Sequence, residues 1–348
     1  HKAIRRQRQM CIRDRAIKNH TTQKYKAVCK VRSRVRFALT GTPVENRLGE
    51  LWSVFSFLMP GYLPPYKSFC SRFEKPIVQE EDQTAVRRLN QLTGPFILRR
   101  MKSDVLKELP PKTENVYRIE LEEEQRKLYL AAVVDAREKL QAAKPEDKMA
   151  VFAVLMRLRE ICCDPRLIAD NWEGGSAKLD ACAELVSSAV EGGHRILLFS
   201  QFTSMLELLA KRLDAEGISH FTLQGSTPKP VRAELVRRFN GGEVSVFLIS
   251  LRAGGTGLNL TAADIVIHYD PWWNVAAQNQ ATDRAYRIGQ QNPVQVYKLI
   301  AQDTIEEKIV ELQQAKQSLA DTVTGTADGA ILSMRPDELL QLLEGSEP

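Results

Sequence analysis

The chain has 348 residues, enough for two domains, because a single domain usually takes about 100–200 residues. No apolar run approaches the roughly 20 residues of a membrane-spanning helix, and no apolar stretch follows the basic amino terminus as a secretory signal requires, so we expect no membrane partner. The six cysteines form no C-x-x-C pair and the five histidines are scattered, which argues against a metal site or a disulfide framework and favours a reducing compartment.

Positive charge is concentrated at the amino end of the chain. The net charge is +6, and residues 1–15 carry six Lys or Arg against Asp14, so residues 16–348 are close to neutral. A basic arm of this kind could bind nucleic acid. Because the segment has no apolar periodicity, we interpret residues 1–15 as a non-native or disordered segment with no role in the fold.

The first half of the chain predicts a strand that ends in a tight turn, followed mainly by helices. The apolar run Phe37–Leu39 indicates the strand, and Gly41 and Pro43 mark the turn. Residues 44–58 then carry one apolar stripe at helical spacing, formed by Leu48, Leu51, Trp52, Phe55 and Leu58. Further elements are expected as helices over 66–73, 83–92, 122–140 and 149–161 and as a strand over 112–121.

Beyond Gly174 the pattern changes to strands that alternate with helices. Strands are expected over 195–199, 219–223, 245–250, 262–269 and 294–299. Helices are expected over 178–191, 203–216, 231–239, 274–287 and 305–319. Such alternation predicts an α/β fold, with a parallel sheet covered by helices on both faces. The carboxyl ends of its strands then line one crevice, where a fold of this class usually binds its ligand.

A glycine-rich loop follows the strand expected over 245–250. Gly254, Gly255 and Gly257 let its backbone turn sharply and bring N–H groups close to an oxyanion. The expected ligand is a phosphate group, from a nucleotide or from a nucleic-acid backbone. An ordinary strand-to-helix turn is the alternative, since the loop does not match G-x-G-x-x-G.

Arg284 and Arg287 lie three positions apart in the run Gln280–Gln290. On the helix expected there, this spacing places both guanidinium groups on one face. Two planar guanidinium groups side by side suit a polyanion such as a triphosphate, because each can bind oxygens bidentately. The alternative is a solvated basic face, and the glycine-rich loop upstream argues against it.

Other loops at the carboxyl ends of the expected strands carry small, hydroxyl or amide groups. Ser200 and Gln201 follow one strand, and Gln224 and Gly225 follow another. Such groups suit contact with a sugar-phosphate backbone, which they position without reading sequence. Turn chemistry would also explain each loop taken singly, and their shared edge is what favours a binding role.

Two tryptophans, Trp272 and Trp273, follow the strand expected over 262–269. Paired indoles at this place could stack on bases. They could equally cap the core and orient the next helix, and we favour capping for at least one of them. Asp270 could bind a ribose hydroxyl or pair with a neighbouring arginine, and the sequence leaves both roles open.

Taken together, these segments resemble the SWI2/SNF2-type members of helicase superfamily 2. The resemblance covers about residues 16–325 and rests on Thr40–Pro43, Glu50–Trp52, Leu98–Val105, Leu109–Lys112, Leu158–Cys162, Ile196–Phe202, Ala253–Leu260, Asp270–Asn274 and Gln280–Gln290. It implies two RecA-like lobes that bind ATP between them and move along one strand of duplex DNA as they close. The implied cofactors are ATP and Mg²⁺, and the implied partners are double-stranded DNA and proteins bound to it. No oligomer is indicated.

The resemblance also assigns roles to single residues. Arg284 and Arg287 would be the arginine fingers of lobe two, which stabilise charge on the transferring phosphoryl group. Further nucleotide contacts would come from Gly255, Gly257, Gln280 and Asp283. DNA contacts would come from Thr40, Thr42, Ser200, Gln201, Gln224, Gly225, Thr256, Asn259, Trp272 and Trp273. No residue of this chain is expected to bind a metal.

The chain departs from the family pattern in lobe one. It contains no G-x-x-x-x-G-K-[ST], the P-loop that holds the β- and γ-phosphates, and its only Asp-Glu pair is Asp337–Glu338. We therefore expect most of lobe one to be absent, Mg²⁺ to be bound mostly by that missing part, and the chain alone to be inactive in ATP hydrolysis. The expected division is 1–15 non-native or disordered, 16–120 the end of lobe one, 121–173 a helical linker, 174–325 a complete lobe two and 326–348 a tail.

Three functional interpretations stay open. The first is an ATP-dependent DNA translocase or remodeller, which displaces proteins from DNA. The second is a catalytically silent DNA-binding module, whose affinity for duplex would depend on salt but not on nucleotide. The third is a strand-separating helicase of the same superfamily. A bacterial cytoplasm, with the protein at the nucleoid, is the favoured location, and a nucleus is the alternative for a eukaryotic source.

Overall fold

The structure is a computed structural model in which the chain forms two compact units. It describes residues 17–39, 48–80, 82–98, 106, 109–144, 147–169, 171–254, 258–313 and 336–344. The first unit contains the described residues up to 98, and the second contains those from 106 onward. The segment 1–15 and the Thr40–Pro43 turn lie outside the described residues.

The first unit is helical. Its elements are α1 (Gln23–Cys29), α2 (Leu48–Leu58), α3 (Tyr66–Phe69), a π-helical turn (Cys70–Glu74), α4 (Lys75–Gln79), α5 (Gln83–Thr93) and a 3-10 turn (Gly94–Phe96). On α2, the stripe residues Leu48, Leu51 and Phe55 are buried, whereas Trp52 and Leu58 are half-buried. The buried members pack against aromatic side chains of the helical segments that follow, so the predicted stripe forms the core of this unit.

The second unit is built on a six-stranded parallel sheet. Its strands are β1 (Lys112–Ile119), β2 (Ile196–Ser200), β3 (His220–Leu223), β4 (Val246–Ser250), β5 (Ile265–His268) and β6 (Val294–Ala301). Their order across the sheet is β1-β6-β5-β2-β4-β3. β2 therefore lies in the interior between β5 and β4, and all five of its residues are buried.

Helices connect the strands and cover both faces of the sheet. They are α6 (Glu123–Ala142), α7 (Lys148–Cys163), a 3-10 turn (Pro165–Leu167), α8 (Ala177–Glu191), α9 (Thr203–Ala215), α10 (Lys229–Asn240), α11 (Leu251–Gly254), α12 (Val275–Thr282), α13 (305–313) and α14 (Pro336–Glu344). Of the helices described in the two units, none has both the length and the apolar content to cross a bilayer.

The side chains of β2 alternate between two hydrophobic cores. Ile196 and Leu198 pack with α8 and α9 on one face of the sheet. Leu197 and Phe199 join a second core on the opposite face, which includes Phe239 of α10. This alternation follows from the two-residue period of a strand. The predicted α/β fold, a parallel sheet covered by helices on both faces, is confirmed.

β1 lies at the edge of this sheet, so it belongs to the second compact unit although it precedes residue 120, the predicted end of lobe one. It pairs in parallel with β6, with Lys112 opposite Val294 and Ile119 opposite Ala301. All its residues except Ile119 are exposed, so the strand has no continuous buried face. Local alternation predicted the strand itself, but its partner lies far along the chain and belongs to the second unit.

Helices α6, α7 and α14 share a separate hydrophobic core. Tyr129 of α6 and Leu158 of α7 are buried in it, together with Leu339 and Leu343 of α14. The side chain of Arg137 on α6 also donates to the carbonyl of Leu343 at 2.9 Å. Over 336–344, the segment expected to be a tail is therefore an integral part of the second unit.

Because β2 lies in the interior of the sheet, shortening one of its buried side chains should destabilise the second unit. Leu198→Ala removes a side chain with no exposed surface and leaves a cavity, so we expect the free energy of unfolding in urea to fall by about 2–5 kcal/mol. Val231→Ala, at an exposed position of α10, is the control and should change it by less than about 0.5 kcal/mol. Equal and small losses in the two variants would contradict a close-packed core around Leu198.

Candidate functional site

Several strand ends meet at the carboxyl edge of the sheet. Ser200, the last residue of β2, is paired in register with Ser250, the last residue of β4. Leu223 at the end of β3 is paired with Ile249, and β5 ends at His268 beside β2. The loops that follow these four strands therefore leave the sheet side by side, at the edge where the sequence predicted a ligand.

A buried arginine from α7 lies at this edge. The guanidinium group of Arg159 has no exposed surface and donates to Oε1 of Gln201 at 2.7 Å. It also donates to Oδ2 of Asp270 at 3.1 Å and to the carbonyl of Pro271 at 2.6 Å. Its Cζ lies 4.7 Å from the ring centroid of Trp273. One side chain thus ties α7 to the segments that follow β2 and β5.

Asp270 is the carboxylate partner of this arginine, and it is fully buried as well. Its Oδ1 accepts from the hydroxyl of Ser200 at 2.6 Å and from the N–H of Gln201 at 3.1 Å. Of the two roles that the sequence left open for Asp270, the pair with an arginine is therefore the one that the structure contains. A ribose hydroxyl has no access to a carboxylate buried in this way.

Ser200 is buried, and its predicted contact with DNA stays a prediction. Its hydroxyl donates to Asp270 and accepts from the N–H of Phe202 at 3.1 Å, and the side chain has no exposed surface. Gln201 is half-buried, and its amide nitrogen lies 3.4 Å from the sulfur of Met156. Residue type could not separate the two roles, because hydroxyl and amide groups suit a buried network as well as a phosphate.

The two tryptophans lie between the sheet edge and the helical core. Trp273 is 7% exposed and packs edge-to-face against Phe152 of α7, with 6.0 Å between ring centroids. Trp272 is half-buried, contacts Trp273 at 5.0 Å between centroids, and accepts at its carbonyl from the side-chain amide of Gln313. Trp273 thus caps the core, and base stacking by Trp272 stays a prediction.

The loop after β3 is fixed by Arg232 of α10. Its guanidinium group donates to the carbonyls of Gln224 at 3.2 Å and Gly225 at 2.8 Å. A third bond runs from its Nε to the carbonyl of Thr227 at 2.8 Å. Gly225 is exposed and Gln224 is half-buried. The backbone of this partly exposed loop is therefore held by hydrogen bonds from Arg232.

The helix predicted around the two arginines is shorter than expected. α12 ends at Thr282 with Asp283 as its C-cap, and both arginines lie in the turn that follows. The prediction that the guanidinium groups share one helix face is therefore wrong. Arg287 is exposed, whereas Arg284 is 7% exposed. The carbonyl of Arg284 accepts from the N–H of Leu260 at 3.0 Å, so this turn is bonded to the end of the glycine-rich loop.

Some of the remaining predicted residues lie outside the described residues, and the others lie near the arginine turn or the end of the glycine-rich loop. Those outside the described residues are Thr40, Thr42, Gly255, Thr256 and Gly257. Gln280 and Asp283 are half-buried near the end of α12. Asn259 is exposed, and its carbonyl accepts from the side-chain amide of Asn240 at 2.9 Å. The structure thus brings the end of the glycine-rich loop to the arginine turn and groups other predicted residues around Arg159.

His268, which belongs to no sequence motif and was not among the predicted site residues, connects β5 to the end of α12. Nε2 of His268 lies 2.9 Å from Oγ1 of Thr282, and its ring stacks on Phe199 with 5.6 Å between centroids. Burial lowers the pKa of this imidazole to about 3, and the positive charge of Lys298 adds to the effect. The ring is therefore neutral at neutral pH and serves packing and hydrogen bonding rather than charge.

The described residues do not fit a Mg²⁺ site. Within the ranges that the structure describes, no group of three or more His, Cys, Asp or Glu could hold a metal ion. Asp270, the buried carboxylate at the sheet edge, is already paired with Arg159. We therefore assign no metal-dependent step to these residues.

Two family models match the chain. The SNF2-related domain matches residues 2–167, and the helicase conserved C-terminal domain matches residues 177–289. The chain is 39% identical to "Uncharacterized ATP-dependent helicase MG018" of Mycoplasma genitalium, over 94% of its own length and 32% of that protein. It is 37% identical to "SWI/SNF-related matrix-associated actin-dependent regulator of chromatin subfamily A member 1" of Mus musculus, over 94% and 33%. The chain thus spans about a third of the length of these curated relatives.

A solved structure supports the same relationship. The chain is similar to the Sulfolobus solfataricus SWI2/SNF2 ATPase core in complex with dsDNA, with a TM-score of 0.58 and 34% sequence identity. The likeness covers 94% of this chain and 70% of that one. The predicted RecA-like character of the sheet is confirmed by this likeness.

The Arg159–Asp270 pair predicts a large effect on stability. Arg159→Ala leaves a buried carboxylate without its counter-ion, so we expect the free energy of unfolding to fall by about 3–5 kcal/mol. Chemical denaturation of the purified chain measures this loss. The control is Arg237→Ala, which removes an exposed ion pair with Glu234 and should cost far less, because water screens that pair. A loss no larger than the control's would contradict the network.

His268 predicts a pH dependence of stability. Its pKa is about 3 in the folded chain, against about 6.5 for an ordinary histidine. As the pH falls from about 6.5 towards 3, the imidazole of His268 is protonated in the unfolded state but stays neutral in the folded state. The free energy of unfolding therefore decreases. We expect His268→Gln to flatten this slope by up to about 1.4 kcal/mol per pH unit. Parallel curves for the two proteins in urea denaturation between about pH 6 and pH 4 would contradict a buried neutral imidazole.

Proposed function

Since this chain belongs to the SNF2 family of helicase superfamily 2, we propose that it forms the C-terminal lobe of an ATP-dependent translocase on double-stranded DNA. The observation that carries the proposal is the exposed Arg287, in a turn bonded to the end of the glycine-rich loop. The relatives include a protein named as an ATP-dependent helicase and one named as a regulator of chromatin, and the related solved core is bound to double-stranded DNA.

In this proposal Arg287 acts as an arginine finger. An exposed guanidinium group can reach the terminal phosphate of ATP and stabilise the charge that develops during phosphoryl transfer. The phosphate cradle comes from a P-loop, which this sequence does not contain. Arg284 is buried in this structure and would have to turn outward to make the same contact. Gln280 and Asp283, which precede the turn, line the same nucleotide in this proposal.

The exposed loops of the second unit contact the DNA backbone in this proposal. Gly225 lies at the surface of a loop fixed by Arg232, and Asn259 lies at the surface where the glycine-rich loop ends. Backbone N–H groups and side-chain amides position a duplex through its phosphates without reading its sequence. Contacts of this kind suit a motor that must move along DNA of any sequence.

The test uses the full-length gene product that carries this chain, because a P-loop must complete the site. Arg287→Ala should lower kcat for DNA-stimulated ATP hydrolysis by about 10³–10⁵-fold, the size of the effect of arginine fingers in other nucleotidases. Phosphate release at saturating duplex DNA measures the rate. Arg212→Ala is the matched control and should keep the wild-type rate, because that side chain pairs with Asp180 and Glu216 away from the turn.

The outcomes separate the proposal from its alternatives. The 348-residue chain alone should release no phosphate above its Arg287→Ala variant, because its sequence contains no P-loop to bind the phosphates. A full-length protein that binds duplex in a salt-dependent way but hydrolyses no ATP would favour the catalytically silent DNA-binding module. Separation of duplex strands in a displacement assay would favour the helicase.

A further inference from the structure

The turn after α12 is fastened by a buried side-chain amide. Gln290 is 7% exposed, and its Nε2 donates to the carbonyls of Ala263 at 2.7 Å and Ala285 at 3.2 Å. Its Oε1 accepts from the backbone N–H groups of Gln291 and Asn292, both at 2.9 Å. One side chain thus bonds the turn to itself and to the segment that leads into β5.

These four bonds use the full hydrogen-bonding capacity of the amide. A glutamine side chain offers two N–H donors and two acceptor lone pairs, and each of them has a partner around Gln290. Removing the amide would take the side-chain donor from the carbonyls of Ala263 and Ala285, where both bonds are buried, and this is costlier than the loss of an exposed bond. The side chain therefore selects one geometry for the turn.

Arg287 lies between the points that Gln290 fixes. Its N–H donates to the carbonyl of Ala285 at 3.0 Å, and its own carbonyl accepts from the N–H of Gln290 at 2.9 Å. Gly289 closes the turn with a φ of +102°, a conformation that strains a residue with a Cβ. The backbone of the arginine is thus held on both sides by groups bonded to the amide.

Other contacts reach the same turn as well. The carbonyl of Arg284 accepts one bond from the N–H of Leu260, and the ammonium group of Lys112 lies 5.9 Å from the ring centroid of Tyr286. A cation–π contact near solvent contributes little. Gln290 itself contributes four bonds at this place, and the two that its Nε2 donates are buried.

We propose that Gln290 is a positioning residue for Arg287, whose guanidinium group it holds in place for the terminal phosphate of ATP. The inference rests on the function proposed for Arg287. An arginine finger owes its effect on rate to being in place before the reaction, and a displacement of about 1 Å costs about 10²-fold. Contact with the substrate belongs to Arg287, and Gln290 acts only through it.

The experiment compares Gln290→Met with Gln291→Met in the full-length gene product. Methionine has nearly the length of glutamine but no amide, so Gln290→Met removes all four bonds and keeps the space filled. We expect it to lower kcat for DNA-stimulated ATP hydrolysis by about 10–10²-fold, while KM for ATP and the Kd for duplex change less than about twofold. Gln291 is exposed, and its replacement should leave the wild-type rate.

A double-mutant cycle separates positioning from general support of the fold. If Gln290 acts through Arg287, then Gln290→Met should cost nothing further in the Arg287→Ala background. The same fold-loss in both backgrounds, or no loss in the single variant, would overturn the inference. An Arg287→Ala protein with the wild-type rate would instead overturn the proposed function, and the inference would fall with it.

Gln290→Glu provides the same test if the methionine variant does not fold. Its carboxylate keeps oxygens for the N–H groups of Gln291 and Asn292 but lacks the donors for Ala263 and Ala285. The rate should again fall only where Arg287 is present. A folded Gln290→Glu protein with the wild-type rate would overturn the inference.

Discussion

The carboxyl edge of the sheet depends on the buried guanidinium group of Arg159. A charge without exposed surface is stable only among a counter-ion and hydrogen-bond acceptors, and here Asp270, Gln201 and the carbonyl of Pro271 supply them. Because these partners follow β2 and β5, the segments after these two strands are bonded to α7. Ser200 and Asp270, whose residue types suit a ligand, are bonded to each other in this buried network.

The arginine turn is built in a different way. Arg287 lies beyond the end of α12, so its place depends on the buried amide of Gln290 and on the bond between Arg284 and Leu260 rather than on a helix. The backbone of the turn is bonded to buried groups, while the guanidinium group of Arg287 stays at the surface. A group that must meet a phosphate in a fixed place needs both properties.

Local periodicity predicted the elements of the second unit, but not the contacts that position its site. β2 and β4 are continuous buried runs, so their strands follow directly from the sequence. The turn after α12 is bonded to Leu260, and the Arg159–Asp270 pair joins residues 111 positions apart, so no local pattern indicates either contact. The family resemblance assigned a role to both arginines, but it carried no information on the burial of Arg284.

The central question is whether Arg287, presented by this turn, reaches the terminal phosphate of ATP. A structure of the full-length gene product with duplex DNA and an ATP analogue that mimics the transferring phosphoryl group would answer it most directly. We expect guanidinium nitrogens of Arg287 at about 2.7–2.9 Å from oxygens of that group, with the amide of Gln290 still bonded to Ala263 and Ala285. An Arg287 side chain that points into solvent, or pairs with a carboxylate of its own lobe while the nucleotide is bound, would contradict the proposed role.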